Sequence, residues 1–332
     1  MPVDLAHDFT SGTIESMVEI EHIVSMMCSS LIIFSYLRFE ELRTPGFTLV
    51  LLLTVCDAAA NLSYIAFPPP DTGSAACYAQ AILVSFFLAA SVLWSMTISL
   101  TIYATVLGAL ARPARKLRAC LDRPLMVHAG VWGTSLVLSL LPLSTHSTGH
   151  NAGPLCWVAV LTSWGQFWVF FTAYGPIWAT IGITVFISFR IRCEILSVVS
   201  LMAELEFNNR STSTASPAAT EAHGGYARLL MFYNSLKWYP VILIVAWTPS
   251  TIVRVSQTSG YTLSPTAANV FTLVTGMFIQ GERAATGHLL ITQPFFARLT
   301  FTDLMRKKLS LRAIRIALTL AAFNLQLLIQ VC

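Results

Sequence analysis

Two cysteines and a small set of charged and polar residues are the side chains here whose type and spacing could do chemistry. Cys77 opens a long apolar stretch, and Cys156 stands beside Trp157 well downstream. Asp57 and Asn61 lie four residues apart in another apolar run, a spacing that puts both on one face of a helix. A carboxyl and an amide at that depth make a polar network that either switches state or serves as a static contact. Glu282 and Arg283 stand in a further apolar run; as neighbours they point about 100° apart on a helix, so each needs a separate partner. Arg254 ends a run that carries Pro240 and Pro249, and can meet an anion or snorkel to lipid headgroups. His150 and Trp157 belong to the same candidate ligand-binding set, although a loop histidine can equally be merely solvated. His128 and His288 have no second ligand at suitable spacing, so no metal site is expected. Catalytic residues and cofactors are likewise assigned to none.

The elements that position these residues follow from composition. Hydrophobic residues make up 55% of the 332 and charged residues only 11%, against roughly a quarter charged in a soluble domain. A hydrocarbon core about 30 Å thick needs roughly 20 apolar residues per helix. Seven stretches meet or approach that length: 18–37, 47–67, 82–107, 125–143, 167–189, 238–255 and 267–291. The expected fold is an all-α membrane protein, a bundle of seven transmembrane helices over 18–292. Pro176, Pro240 and Pro249 are the expected bending points, because a proline removes one backbone donor and its ring crowds the preceding turn.

Charge placement sets the expected orientation. With the N-terminus outside, all of the 20 lysines and arginines except Arg254 and Arg283 fall in or at the edges of inner loops and tail. That bias is what the positive-inside rule demands. The cations sit at a membrane surface, so the net charge of +4 is no sign of nucleic-acid binding. The same topology leaves Cys77 and Cys156 as the cysteines facing the oxidising side, and elimination pairs them.

Between and beyond the spans the sequence is less informative. Residues 1–17 form a short outer tail, too small to bind a ligand alone, and show no signal peptide. The inner loop at about 206–226 is rich in Ser, Thr, Ala and Gly and is expected to be disordered. Its hydroxyls suit phosphorylation, hence kinase and arrestin-like regulators, or serve only in a linker. Residues 293–332 form an expected cytoplasmic tail whose 311–332 segment is an amphipathic helix, an eighth buried segment or a gene-model error. Residues 267–291 contain no lysine, which removes a retinal Schiff base.

Several runs carry a family resemblance. Ser30-Leu-Ile-Ile-Phe-Ser-Tyr-Leu-Arg38, Leu52-Leu-Thr-Val-Cys-Asp57, Leu93-Trp94, Cys156-Trp157 and Trp238-Tyr-Pro240…Trp247…Arg254 are similar to the cyclic AMP receptor-like (class E) G-protein-coupled receptors. The resemblance implies a plasma-membrane, multi-pass receptor rather than an enzyme. It also implies a small extracellular ligand, a heterotrimeric G protein on inner loops two and three, and a Cys77–Cys156 disulfide. Arg112, Arg115, Lys116, Arg118, Arg190 and Arg192 are the matching coupling candidates, with membrane lipid as their other partner. Glu282-Arg283 departs from the uncharged pattern of such receptors at that place, and the outer face is poor in cations for a phosphate ligand. The rival reading is a transporter or channel with a polar path through Asp57, Glu282 and Arg283. Seven is an odd count for paired repeats, and no internal repeat is visible.

Overall fold

The computed structural model describes residues 22–66, 73–107, 112–150, 156–159, 162–209 and 239–259. Expectations for 1–17, for Glu282, Arg283 and the 267–291 stretch, and for the 293–332 tail lie outside the described residues.

Helix α1 (His22–Arg38) leads through a 3-10 turn (Glu40–Leu42) into α2 (Pro45–Ile65). Thr44 caps α2 by accepting from the Phe47 N–H at 3.4 Å, and Pro45 occupies the first turn, where a missing donor costs nothing. Then come α3 (Ala75–Leu107), α4 (Arg112–Leu121) and α5 (Pro124–Leu140), the last continued by a 3-10 turn (Leu141–Thr145). A small antiparallel hairpin follows, β1 (Thr148–His150) with β2 (Cys156–Val158), registering His150 opposite Cys156.

Helix α6 (Ser163–Val169) runs through a π turn (Phe170–Tyr174) into α7 (Gly175–Asn209). The π turn has a local cause. Pro176 offers no N–H, and its ring crowds the carbonyl four residues back, that of Thr172. The chain widens instead, so that the Gly175 N–H reaches back five residues to the Phe170 carbonyl. At Pro176 the expected bend therefore takes the form of a wide turn just upstream. α7 continues through Asn209, beyond 206, where the polar inner segment was expected to begin. Helix formers such as Leu201, Met202, Ala203, Glu204 and Leu205 carry it that far. Helix α8 (Tyr239–Thr258) completes the described set, with Pro240 as its second residue and Pro249 in its interior.

Among the described residues four helices are long and apolar enough to cross a membrane: Pro45–Ile65, Ala75–Leu107, Pro124–Thr145 and Ser163–Glu194. The polarity is inverted, as a hydrocarbon solvent requires. Phe34, Leu125, Phe186 and Phe189 lie outermost, whereas Asp57, Asn61, Gln80 and Ser99 are buried. Helix α3 is the axis: it touches α2, α4, α5, α7 and both strands. Near the middle of α3, Trp94 packs among Cys56, Ala90 and Val131, edge-on to the rings of His128 and Trp132. Many hydroxyls in these helices are satisfied locally or across a neighbour. Thr97 and Thr101 donate to their own helix, while Ser99 also meets Thr184 of α7 at 3.1 Å.

Candidate functional site at the disulfide end

The start of α3 is pinned to the hairpin. Cys77 and Cys156 form a disulfide with their Cα atoms 5.2 Å apart, closing a sequence separation of 79. One turn on, Gln80 is fully buried, and its amide makes two bonds. Its oxygen accepts from the Cys156 N–H at 3.0 Å, and its NH2 donates to the Ser63 carbonyl at 3.4 Å. Ser63 lies in the last turn of α2, where carbonyls lack partners within the helix. One side chain thus joins α2, α3 and β2. The sequence reading did not single out Gln80; the available signal was a lone amide three residues after a cysteine in an apolar helix. In Gln80→Leu both backbone groups lose that partner in dry surroundings, a cost of about 1–3 kcal/mol each. The purified variant should therefore melt measurably below the native protein, and an unchanged midpoint would sink this bridging role.

The hairpin presents Trp157 to the helices. The indole N–H of Trp157 donates to Ser85 of α3 at 3.0 Å, which fixes the ring, and the Arg254 guanidinium of α8 lies 5.8 Å from the ring centroid. Two members of the candidate ligand-binding set, 97 positions apart in sequence, are thereby brought together. Tyr64 lies near the end of α2 and is half-buried. Tyr64 stacks on His22 with centroids 4.3 Å apart. His150 stands opposite Cys156 in the register, so its backbone belongs to this end; its side chain lies outside the description.

Below this layer runs the buried polar chain. Asn61 bonds to His22 Nδ1 at 2.8 Å and donates to Ser25 at 2.9 Å, tying α2 to α1. Asp57 accepts from Ser91 of α3 at 2.7 Å, tying α2 to α3. The two residues that share a helical face therefore reach different neighbours. Helices α7 and α8 are joined beside Pro249. Tyr174, at the end of the π turn, meets the Ser250 hydroxyl at 2.6 Å, and the Trp178 indole donates to Thr251 at 3.1 Å. Neither contact was foreseen, because nothing in the sequence aligns 174 with 250.

The remaining predicted cations collect at the opposite end. Arg112, Arg115, Lys116 and Arg118 are exposed on α4, and Arg190 and Arg192 on α7. Ala114 of α4 is buried against Leu107, Ile187 and Ile191, so the two basic groups flank one packing point. Arg190 pairs with Glu194 at 3.8 Å. Among the described residues, no three His, Cys, Asp or Glu side chains are placed to hold a metal.

Comparison with known proteins places this architecture. The fold resembles that of squid rhodopsin, with a TM-score of 0.65 at 16% identity over 88% of this chain and 84% of that one. "G-protein coupled receptor 1" of Arabidopsis thaliana is 30% identical over 237 residues, covering 70% of this chain and 64% of the relative. "Cyclic AMP receptor-like protein A" of Dictyostelium discoideum is 26% identical over 160 residues, covering 47% of this chain and 41% of the relative. The chain therefore spans under two thirds of the plant protein and about two fifths of the slime mould one. Residues 8–206, more than half of the chain, match the family model described as slime mold cyclic AMP receptor. A receptor disulfide, an inverted polarity and a rhodopsin-like helix arrangement agree with that match, and this chain belongs to the slime mold cyclic AMP receptor family.

Proposed function

We propose that this protein is a G-protein-coupled receptor of the plasma membrane, with seven spans and the N-terminus outside, that senses a small extracellular ligand. The observation that carries the reading is the contact of Arg254 with Trp157, held in place by the Cys77–Cys156 clamp. A cation over an aromatic face suits a small anion with a flat apolar part. The ligand's negative charge competes for Arg254, and the flat part lies on Trp157. Arg254 belongs to α8, so the shift moves α8 about Pro249, where Tyr174 and Trp178 couple it to α7. The ends of α7 and α8 far from the disulfide then separate. A heterotrimeric G protein engages α4 and the start of inner loop three through Arg112, Arg115, Lys116, Arg118, Arg190 and Arg192. The Asp57–Ser91 and Asn61–His22 contacts bias the two states, and a ligand shifts the balance only by binding one state better. The relatives' names are those of receptors, which supports a signalling role over an enzymatic one.

The test is nucleotide exchange on Gα in membranes carrying the protein, with cyclic AMP as the first probe. Probe-dependent exchange is expected, and Arg254→Gln should raise the half-maximal concentration by about 10- to 100-fold, as loss of a charge-assisted bond does. Fast exchange without any response to the probe would keep the receptor and discard cyclic AMP. No exchange with any Gα tested, at normal surface delivery, together with substrate-dependent current, would replace the receptor by a transporter.

A further inference from the structure

Helix α4 joins the ends of two spanning helices. Four residues lie between Leu107 of α3 and Arg112, and two between Leu121 and Pro124 of α5. Both ends being tethered, its ten residues, about 15 Å of helix, lie at the depth where those spans leave the hydrocarbon. Ala114 is fully buried against Leu107 and Ile191, and Leu117 and Leu121 are half-buried, which fixes the rotation of α4 about its axis. The opposite arc carries Arg112, Arg115 and Lys116, and Arg118 lies at its edge next to Ala114, all four exposed.

The spacing of these cations is specific. Arg115 and Lys116 stand three and four residues after Arg112, and Arg118 three after Arg115. Neighbours at such spacings have Cβ atoms about 5–6 Å apart, and like charges there repel. Nothing in α4 relieves that repulsion: the helix contains no carboxylate, and among the described residues the ion pair at this end is Arg190 with Glu194. Arg192 and Arg190 flank Ile191, which packs on Ala114, and so extend the positive field toward α7. Four like charges held on one rigid arc select a partner whose own negative charge is concentrated. Three of the four are arginines, whose planar forks match phosphate oxygens two at a time.

We infer that the cationic arc of α4 is a docking surface for a membrane lipid whose headgroup bears several phosphates, drawn from the leaflet that α4 borders. A lipid with one negative charge would need several molecules to neutralise the arc; a polyphosphorylated inositol headgroup does so alone. This goes beyond the receptor reading, in which the same four cations meet the G protein, and rests on that reading's placement of the α4 end at the cytoplasm. The disulfide at the other end of α3 supports that assignment, since such bonds persist on the oxidising side.

The experiment uses the full chain reconstituted in phosphatidylcholine vesicles doped with labelled phosphatidylinositol 4,5-bisphosphate. Phosphatidylserine is compared at equal total charge, and soluble inositol trisphosphate is added as competitor. The native chain should hold the inositol lipid well above the serine lipid, with the soluble headgroup competing only weakly. Combined Arg115→Gln, Lys116→Gln and Arg118→Gln should weaken the association about a hundredfold, from roughly fivefold per cation. The control Arg38→Gln with Arg43→Gln, compared with the double variant Arg115→Gln with Lys116→Gln at the same loss of two charges, should leave it within about twofold. Retention that follows total charge alone, equal loss in the control, or an unaffected triple variant that fails only in Gα binding would each overturn the proposal. Sidedness is read separately, by labelling exposed Cys120 of α4 with an impermeant maleimide after Cys193→Ser and Cys332→Ser. Labelling only after permeabilisation is expected. Labelling of intact cells would overturn the inside placement, and the receptor's orientation with it, whatever the lipid result.

Discussion

Replacing Cys77 by serine is expected to lower the thermal midpoint of the purified protein by about 10 °C. For a freely unfolded chain, opening a loop with a separation of 79 restores entropy worth about 4.5 kcal/mol. Helices α3 and α5 in a bilayer or micelle remain partly ordered when the tertiary contacts melt, so about 2–4 kcal/mol is the expected loss. The damage should spread beyond the bond itself. The Gln80 bond to the Cys156 N–H and the Trp157 bond to Ser85 both depend on the hairpin staying at the start of α3. Removal of the clamp should therefore also abolish the contact of Arg254 with Trp157, and with it any ligand response in the exchange assay. The control is Cys193→Ser, an exposed free thiol on α7, which should melt with the native protein. A Cys77→Ser midpoint within about 2 °C of native would show that the other contacts hold the hairpin without the bond.

The second large effect is expected at Trp94. It is among the largest fully buried side chains and touches α2 through Cys56 and α5 through Val131, so truncation opens a void among three helices at once. Trp94→Ala should cost about 3–5 kcal/mol, because packing rather than water exclusion holds spanning helices together and a void forfeits contacts outright. The indole nitrogen makes a sharper prediction. Among the described residues Trp94 Nε1 is buried without a hydrogen-bond partner. Trp94→Phe removes that unsatisfied donor while retaining most of the ring, so it should lose far less than Trp94→Ala. Two variants with equal melting points would mean that the indole N–H, not the ring, carries the contribution.

How much of this was legible beforehand varies from residue to residue. The apolar runs that become α2, α3, α5 and the α6–α7 helix were readable because membrane thickness imposes a length that few soluble helices share. Their inward faces were not readable. These helices are apolar almost all round, so periodicity does not say which side meets protein and which meets lipid. Asp57 and Asn61 were visible as polar residues that lipid disfavours, and both are buried. Their partners Ser91, His22 and Ser25 depend on how α1 and α3 are rotated and shifted against α2. The basic run after α3 was visible as charge, but its division into an exposed arc and a face buried at Ala114 needed Ile187 and Ile191 from a distant helix. The proline at 176 announced an irregularity; its form, a π turn upstream, was decided by the backbone's need to keep its hydrogen bonds paired.

The sequence by itself determined the solvent, the approximate bounds of the four described spans and the cysteine pair, because each follows from a constraint that acts along one chain: bilayer depth or redox side. Only the tertiary structure decided that Gln80 closes the disulfide end, that the Arg254 cation faces the Trp157 ring and that Tyr174 grips Ser250. Those are pairings between helices. They are set by the rotation and offset at which side chains interlock, and no single segment contains that information.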